Sequence, residues 1–273
     1  MLSLRGRELD LATPRVMGVV NVTPDSFADG RGAVDVARAI AHGRMLVAEG
    51  ADIVDVGGES TRPGAHPVGE RDELARVVPV VAALAGDGAL VSVDTMKPGV
   101  MRAAIDAGAA MVNDVRALAA DGALAAVAGS GVAVCLMHMQ GDPRTMQAAP
   151  AYADVVGEVR AFLRVRADAA LAAGIARERI VVDPGVGFGK TLAHNLSLLR
   201  GLREIAKLGY PVLAGLSRKS MLGALTGRDV GERLAASIAA ALAAIARGAS
   251  IVRVHDVRAT VDAIRVWQAA NEG

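Results

Sequence analysis

Asp94, Asn113 and Asp183 each lie at the end of a short apolar run. There, carboxylates and an amide can pair along the edge of a flat, nitrogen-rich ring, as a carboxylate does with a guanidine-like N–C–N unit. Arg62, Lys219, Arg253, His255 and the hydroxyl of Thr61 lie in equivalent places and supply donors suited to an anion such as phosphate. Eight apolar runs end this way. Val16–Asn21 leads into Asn-Val-Thr-Pro-Asp-Ser-Phe, and Ile53–Val56 into Gly-Gly-Glu-Ser-Thr-Arg-Pro. Val91–Asp94 ends in Asp-Thr, Met111–Asp114 in Asn-Asp, and Ala133–Met137 at His138. Ile180–Val182 meets Asp183-Pro-Gly, Val212–Leu216 meets Ser-Arg-Lys, and Ile251–Val254 carries Arg253 and reaches His255. One polar residue in a core strand says little; polar ends on every strand point to one shared site.

Several of these residues also have a purely structural reading. Asn21 and Asp25, with Pro24 and Ser26, suit a turn, and so does Asp183 before Pro184. Asp94 ahead of Thr95 and Pro98 suits a helix N-cap. Asp114, beside Asn113, reads as the structural member of the pair, and His138 suits a ligand contact and a structural bond equally well. His42, His66 and His194 have no partner in view and read as surface residues. Pro184-Gly-Val-Gly-Phe-Gly-Lys-Thr191 resembles a phosphate-binding P-loop, but Pro184 occupies the required first glycine. It reads better as a Gly-rich loop holding Phe188 over the site. Lys219 suits a charged donor, with a Schiff-base role left open.

The elements that must position these groups follow from periodicity. The apolar runs are continuous rather than alternating, as in parallel strands buried on both faces. Between them lie helical patterns, such as Val36, Ile40, Gly43 and Val47, or Leu196, Leu199, Leu202 and Ile205. Glycines such as Gly50 and Gly108 fall where a left-handed helix C-cap is wanted. The order is β-α repeated eight times. A closed (β/α)8 TIM barrel is expected, because all the strands contribute polar ends, whereas an open doubly wound sheet concentrates its site at one switch point. Residues 1–15 read as a short hairpin before the first barrel strand, and 1–273 as a single domain.

Composition agrees. The 273 residues suit one barrel, 52% are hydrophobic and 22% charged, and aromatics are only 2%, so Ala, Val, Leu and Ile must fill the core. A net charge of +1 with both signs dispersed argues against a nucleic-acid or membrane-surface partner. Cys135 is the only cysteine, inside an apolar run, and reads as a buried inert thiol. No apolar span of membrane length or secretion signal is evident, so a cytoplasmic placement is expected.

Taken together, eight strings resemble those of the dihydropteroate synthase family, over about Val16 to Val257 and in order. They are Asn21-Val-Thr-Pro-Asp-Ser-Phe27, Glu59-Ser-Thr-Arg-Pro-Gly64, Ser92-Val-Asp-Thr95, Val112-Asn-Asp-Val115, Met137-His-Met-Gln-Gly141, Asp183-Pro-Gly-Val-Gly-Phe-Gly-Lys190, Ser217-Arg-Lys-Ser220 and Arg253-Val-His-Asp-Val257. The resemblance implies condensation of 6-hydroxymethyl-7,8-dihydropterin diphosphate with 4-aminobenzoate, giving 7,8-dihydropteroate and diphosphate, with Mg2+ assisting. It implies that Asp94, Asn113, Asp183 and Lys219 hold the pterin, that Arg253 stacks on it, and that Met137 and Gly215 are substrate-binding positions. Asn21 would ligate Mg2+, and Thr61, Arg62, Arg253 and His255 would hold the diphosphate. Loops carrying Asp25-Ser26-Phe27 and Thr61-Arg62-Pro63, with Phe188 and Ser220, would close around the aminobenzoate. Asp25, Arg62, Asp94 and Lys219 would be the catalytic residues, and a homodimer is implied. Val115-Arg116-Ala117 stands where many family members have Ser-Gly-Gly. The alternatives are a pterin-dependent methyltransferase, which would have little use for Thr61-Arg62 and Lys219-Ser220, and a non-catalytic pterin-binding homologue.

Overall fold

The computed structural model describes residues 1–23, 35–62 and 64–271. Strands β1 (Leu2–Leu4) and β2 (Arg7–Leu9) form an antiparallel hairpin. Eight parallel strands then close a barrel: β3 (Arg15–Asn21), β4 (Ile53–Gly57), β5 (Val91–Asp94), β6 (Met111–Asp114), β7 (Ala133–Met137), β8 (Ile180–Asp183), β9 (Val212–Ala214) and β10 (Ala249–Val254). They pair in sequence order, and β10 closes on β3. Helices return the chain between them, among them Val36–Ala48, Glu70–Gly86, Pro98–Asp106 and Val155–Ala172.

Each strand divides its side chains between two cores, because successive residues point to opposite faces of a sheet. Ile53, Ala133, Cys135, Val181 and Ile251 pack inside the barrel. Their neighbours Val54, Val134, Leu136, Val182 and Val252 pack outward against the helices. Leu2, Leu4 and Leu9 of the hairpin join the inner cluster, so the hairpin covers one end of the barrel. Arg5 secures it, donating to the carbonyl of Ile105 at 2.5 Å while its own N–H reaches that of Gly131 at 3.0 Å.

Two helical faces differ from the expectation. In Val36–Ala48 the buried side is Ala39, Gly43 and Leu46, while Val47 is 40% exposed. A side chain at Gly43 would collide with Leu84, so Gly43 sets the contact between that helix and Glu70–Gly86 and rotates Val47 outward. The pattern from Leu196 to Ile205 is split at Gly201 into two helices, Leu192–Arg200 and Leu202–Ala206.

The segment after β6 stores strain. Ala117 and Leu118 have φ of 53 and 57, a left-handed conformation costing non-glycine residues roughly 1–2 kcal/mol each. Asp114 accepts from the N–H groups of Arg116 and Leu118 at 2.8 and 2.9 Å, and Arg166 donates to the carbonyls of Ala117 and Leu118 at 2.8 and 2.9 Å. The structural reading of Asp114 therefore holds.

Candidate active site

The parity that buries Ile53 and Ile251 inside the barrel also turns Asp55, Ser92, Asp94, Asn113, Asp183 and Arg253 inward, at the end opposite the hairpin. Register places Asn21 opposite Gly57, Gly57 opposite Asp94, and Asp94 opposite Asn113, so these positions form one tier. Arg253 bridges the tier from β10, donating from Nε to Asp55 Oδ2 at 2.6 Å and from Nη2 to Asp94 Oδ2 at 2.8 Å. Burial works against the Arg253 charge, but Asp55 and Asp94 outweigh it and push its pKa further up. Burial raises the pKa of Asp94, and the Arg253 guanidinium opposes that rise.

Asp55 is the residue that sequence reasoning missed. It is fully buried and receives the Asn113 amide Nδ2–H at 3.1 Å as well as Arg253. That bond fixes the Asn113 amide, since Nδ2 is committed to Asp55 and Oδ1 is left as an acceptor. Among the described residues, Asn113 Oδ1, Asp55 Oδ1 and Ser92 Oγ are buried without a hydrogen-bond partner. Buried polar atoms of this kind need a partner, and the three residues are neighbours, Asp55 facing Ser92 in register and bonded to Asn113. The missed signal was parity: Asp55 interrupts Val54 and Val56 on the same face as Ile53.

Asp183 is buried, and its Oδ1 accepts from Gly185 N–H at 2.7 Å. The turn reading therefore holds, and among the described residues no hydrogen bond occupies the second oxygen. Burial raises its pKa, with Lys219 opposing. Lys219 hydrogen-bonds the carbonyl of Val186 and lies 4.8 Å from the Phe188 ring centroid. Burial lowers the Lys219 pKa to about 8, against the pull of Asp183. Phe188 thus stands over Lys219, as expected of a Gly-rich loop folded across the mouth. Glycine is required within it at Gly185 and Gly189, where any side chain would run into the backbone oxygens of His138 and Gln140.

Lys190 holds that loop from beneath. Its buried ammonium donates to the carbonyls of Gly185 and Phe188, both at 2.9 Å, and to His138 Nδ1 at 2.9 Å. His138 is accordingly a structural histidine, an unprotonated acceptor for Lys190. Burial, then Lys190, lower its pKa to about 3. The unfolded imidazole gains a proton near its model value of 6.5, so between there and about 3 the unfolded state binds more protons and stability falls as pH drops. At about 1.4 kcal/mol per unit, the loss at pH 5 is about 2 kcal/mol. His138→Gln keeps an acceptor without titrating. In urea unfolding it should gain about 2 kcal/mol on the wild type between pH 7 and pH 5. A stability gap that does not change with pH would rule out the neutral buried ring.

The base of the loop after β4 is anchored too. Lys97 pairs with Glu59, and with the buried Glu73 at 2.5 Å; Arg76 caps the carbonyl of Gly58 at 2.8 Å. Beyond that anchor, Thr61 is half-buried and Arg62 exposed, as is Ser220, which opens the helix Ser220–Thr226. Met137 ends β7 opposite Asp183, and Gly215 follows β9, lying against Arg253 and Lys219. Asp25, Phe27 and Pro63 lie outside the described residues. His42 is not the surface residue expected: it is half-buried and bonds to the backbone of Val19. His194 instead closes a capping box with Thr191.

The arrangement is a ring-edge reader (Asn113, Asp183, with Asp55 and Asp94 paired to Arg253) beside a rim of hydrogen-bond donors, the cations Lys219 and Arg62 and the neutral imidazole of His255. The sequence pattern of the pterin binding enzyme family matches residues 17–255. The chain belongs to the pterin-binding enzyme family. Within that family, it is 53% identical over 267 residues to the dihydropteroate synthase of Neisseria meningitidis serogroup C, covering 96% of this chain and 94% of that protein. A solved structure of Xanthomonas albilineans dihydropteroate synthase with 4-aminobenzoic acid is 55% identical, with a TM-score of 0.93 and coverage of 99% and 98%. The same organism's enzyme in complex with 7,8-dihydropteroate is 51% identical, with a TM-score of 0.90 and 99% coverage of both chains. The pterin-binding family thus fits the inner polar tier read from this chain's geometry.

Proposed function

We propose that this protein is a dihydropteroate synthase, a transferase that joins the pterin methylene of 6-hydroxymethyl-7,8-dihydropterin diphosphate to the amino nitrogen of 4-aminobenzoate and releases diphosphate. The observation that carries the reading is the hydrogen bonding of Asn113 and Asp183: each is held by the protein through one atom and keeps an acceptor on the inner tier, as the N–C–N donor edge of a pterin would need. The relatives studied with 4-aminobenzoate and with dihydropteroate support the two substrate classes. A pterin-dependent methyltransferase would have little use for Thr61-Arg62 and Lys219-Ser220.

In this reading Asp94, Asn113, Asp183 and Lys219 hold the pterin, with Met137 and Gly215 at its borders and Arg253 across its face. The arylamine is already uncharged near neutral pH, so its attack needs no strong base. The slow event is departure of diphosphate, and Arg62, Thr61, Arg253 and His255 supply donors where negative charge develops. Asp94 and Asp25 stabilise positive charge at the pterin methylene as that bond breaks. Phe188, Pro63 and Ser220 border the aminobenzoate. The donor set suits Mg2+: Asn21 offers a hard amide oxygen at the tier's edge, and Mg2+ takes most of its ligands from water and substrate phosphates. When bound, the ion would neutralise charge on the leaving diphosphate.

The reading takes residues 1–273 as one pterin-binding domain, because the hairpin shares the barrel's inner core. It also includes a cytoplasmic homodimer. No described helix is long and apolar enough to cross a membrane. In helix Leu234–Ile245, Leu234, Ala235 and Ala239 remain exposed, an apolar face suited to a second copy. Size-exclusion chromatography with light scattering tests that assignment.

The activity is tested by diphosphate release from purified protein with Mg2+, pterin diphosphate and 4-aminobenzoate. Release that does not depend on aminobenzoate would overturn the reading. Arg62→Ala should lower kcat by roughly 10²-fold, the loss typical of a donor to developing charge, while pterin affinity measured by calorimetry changes little. Normal turnover in that variant would remove Arg62 from the diphosphate clamp.

A further inference from the structure

The ends of β9 and β10 are cross-linked at two adjacent levels. Ser217 Oγ accepts the backbone N–H of His255 at 3.2 Å and lies 3.1 Å from His255 Nδ1. One residue further on, Arg218 clasps Asp256 with Nε to Oδ2 at 3.0 Å and Nη2 to Oδ1 at 2.5 Å. Arg218 adopts a left-handed φ of 58, and its N–H is held by Ser237 Oγ at 2.9 Å. The clasp fixes the turn in which Ser217 meets the imidazole.

The hydroxyl of Ser217 has one hydrogen. The backbone N–H of His255 can only donate, so it takes one lone pair of Oγ. Among the described residues both hydrogen-bond partners of this hydroxyl are on His255, so the hydroxyl hydrogen is satisfied only if it points to Nδ1. A proton on Nδ1 would instead donate to the second lone pair of Oγ and leave the hydroxyl hydrogen without an acceptor in a residue only 7% exposed, which costs about 1–3 kcal/mol. With Nδ1 as acceptor, the neutral ring carries its proton on Nε2. Burial and then the neighbouring Arg253 and Arg218 lower the His255 pKa to about 4, so the ring is neutral near pH 7.

We infer that Ser217 is a positioning residue that locks His255 in its Nε2–H tautomer, turning an uncharged imidazole into a directed donor for phosphate oxygens at the barrel mouth. An unlocked neutral ring would divide its proton between two nitrogens and offer the anion a lone pair part of the time, which repels it. Tautomer control by a second hydrogen-bonding group is an established way of setting what an imidazole presents. The inference deepens the proposed function, because it rests on that reading for the role of His255 in holding diphosphate.

The tautomer itself can be read without turnover. In protein labelled with 15N-histidine, the His255 resonances are assigned by their disappearance in His255→Asn. At pH 7 the wild type should show a proton-bearing Nε2 and an unprotonated Nδ1. Ser217→Ala should move both shifts toward the averaged values of a mixed tautomer and weaken binding of inorganic diphosphate with Mg2+ roughly five-fold by calorimetry, the scale of one neutral hydrogen bond. Ser217→Thr, which keeps the hydroxyl, should restore both. A proton on Nδ1 in the wild type, or a Ser217→Ala spectrum unchanged at His255, overturns the inference. If the spectra behave as expected but His255→Asn leaves diphosphate affinity unaltered, the tautomer lock stands as chemistry and the diphosphate role of His255 falls.

Discussion

Asp183→Ala is expected to weaken binding of 6-hydroxymethylpterin by roughly 10²-fold, since the charge-assisted bond made by its second oxygen, at about 1.5–3 kcal/mol, is lost. Alanine removes two functions at once, because Asp183 Oδ1 also caps Gly185 N–H. Asp183→Asn separates them. It keeps an oxygen for Gly185 but turns an NH2 group toward the ring's own donors, so donor meets donor. Asparagine should therefore preserve thermal stability and still lose most pterin affinity in calorimetry. If Asp183→Asn binds the pterin normally, the carboxylate does not read the N–C–N edge and the ring must lie elsewhere in the mouth.

Asp55→Ala should be the most damaging change to the fold. It strips the partly exposed Arg253 of one carboxylate and Asn113 of its amide partner, at a position where Asp55 itself is fully buried. Breaking one side of a buried ion pair typically costs about 3–5 kcal/mol, a large share of the 5–15 kcal/mol that holds a domain together. Asp55→Asn is the informative companion. It keeps shape and one acceptor, leaves Asp94 to neutralise Arg253, and can offer an NH2 that competes for the Asn113 orientation. It should fold, with a smaller loss in urea unfolding, yet bind pterin at least tenfold more weakly. Normal pterin affinity in Asp55→Asn would show that Asn113 needs no guidance from beneath.

The two variants probe the two ways in which the site was and was not legible. Asp183 announced itself, because a carboxylate where an apolar run meets Pro-Gly is visible in a string of letters. Asp55 sits inside its run, and its neighbours Val54 and Val56 disguise it as a strand interior. Parity alone gives it away, and parity has meaning only once Ile53 is known to face the barrel axis. His138 shows the reverse error of emphasis. It stands at a strand end like Asp94 and Asp183, yet its ring accepts a hydrogen bond from Lys190 and supports a loop.

The sequence by itself determined the architecture and the kind of chemistry. Continuous β-branched runs separated by helical periods require parallel strands covered on both faces, and polar residues at every strand end require a shared mouth. Both are local signals that survive in one dimension. The tertiary structure alone decided which polar groups neutralise one another and which stay free for a ligand. Arg253 lies 198 residues from Asp55 and 159 from Asp94, and no spacing rule reaches that far. Closure of β10 on β3 brings them together. Hydrogen-bond commitment inside the closed barrel then divides each polar group into an atom used by the protein and an atom left for the substrate. That division made Asn113 and Asp183 acceptors, and it follows from burial, because a polar atom inside a barrel must be paired by the protein or by what it binds.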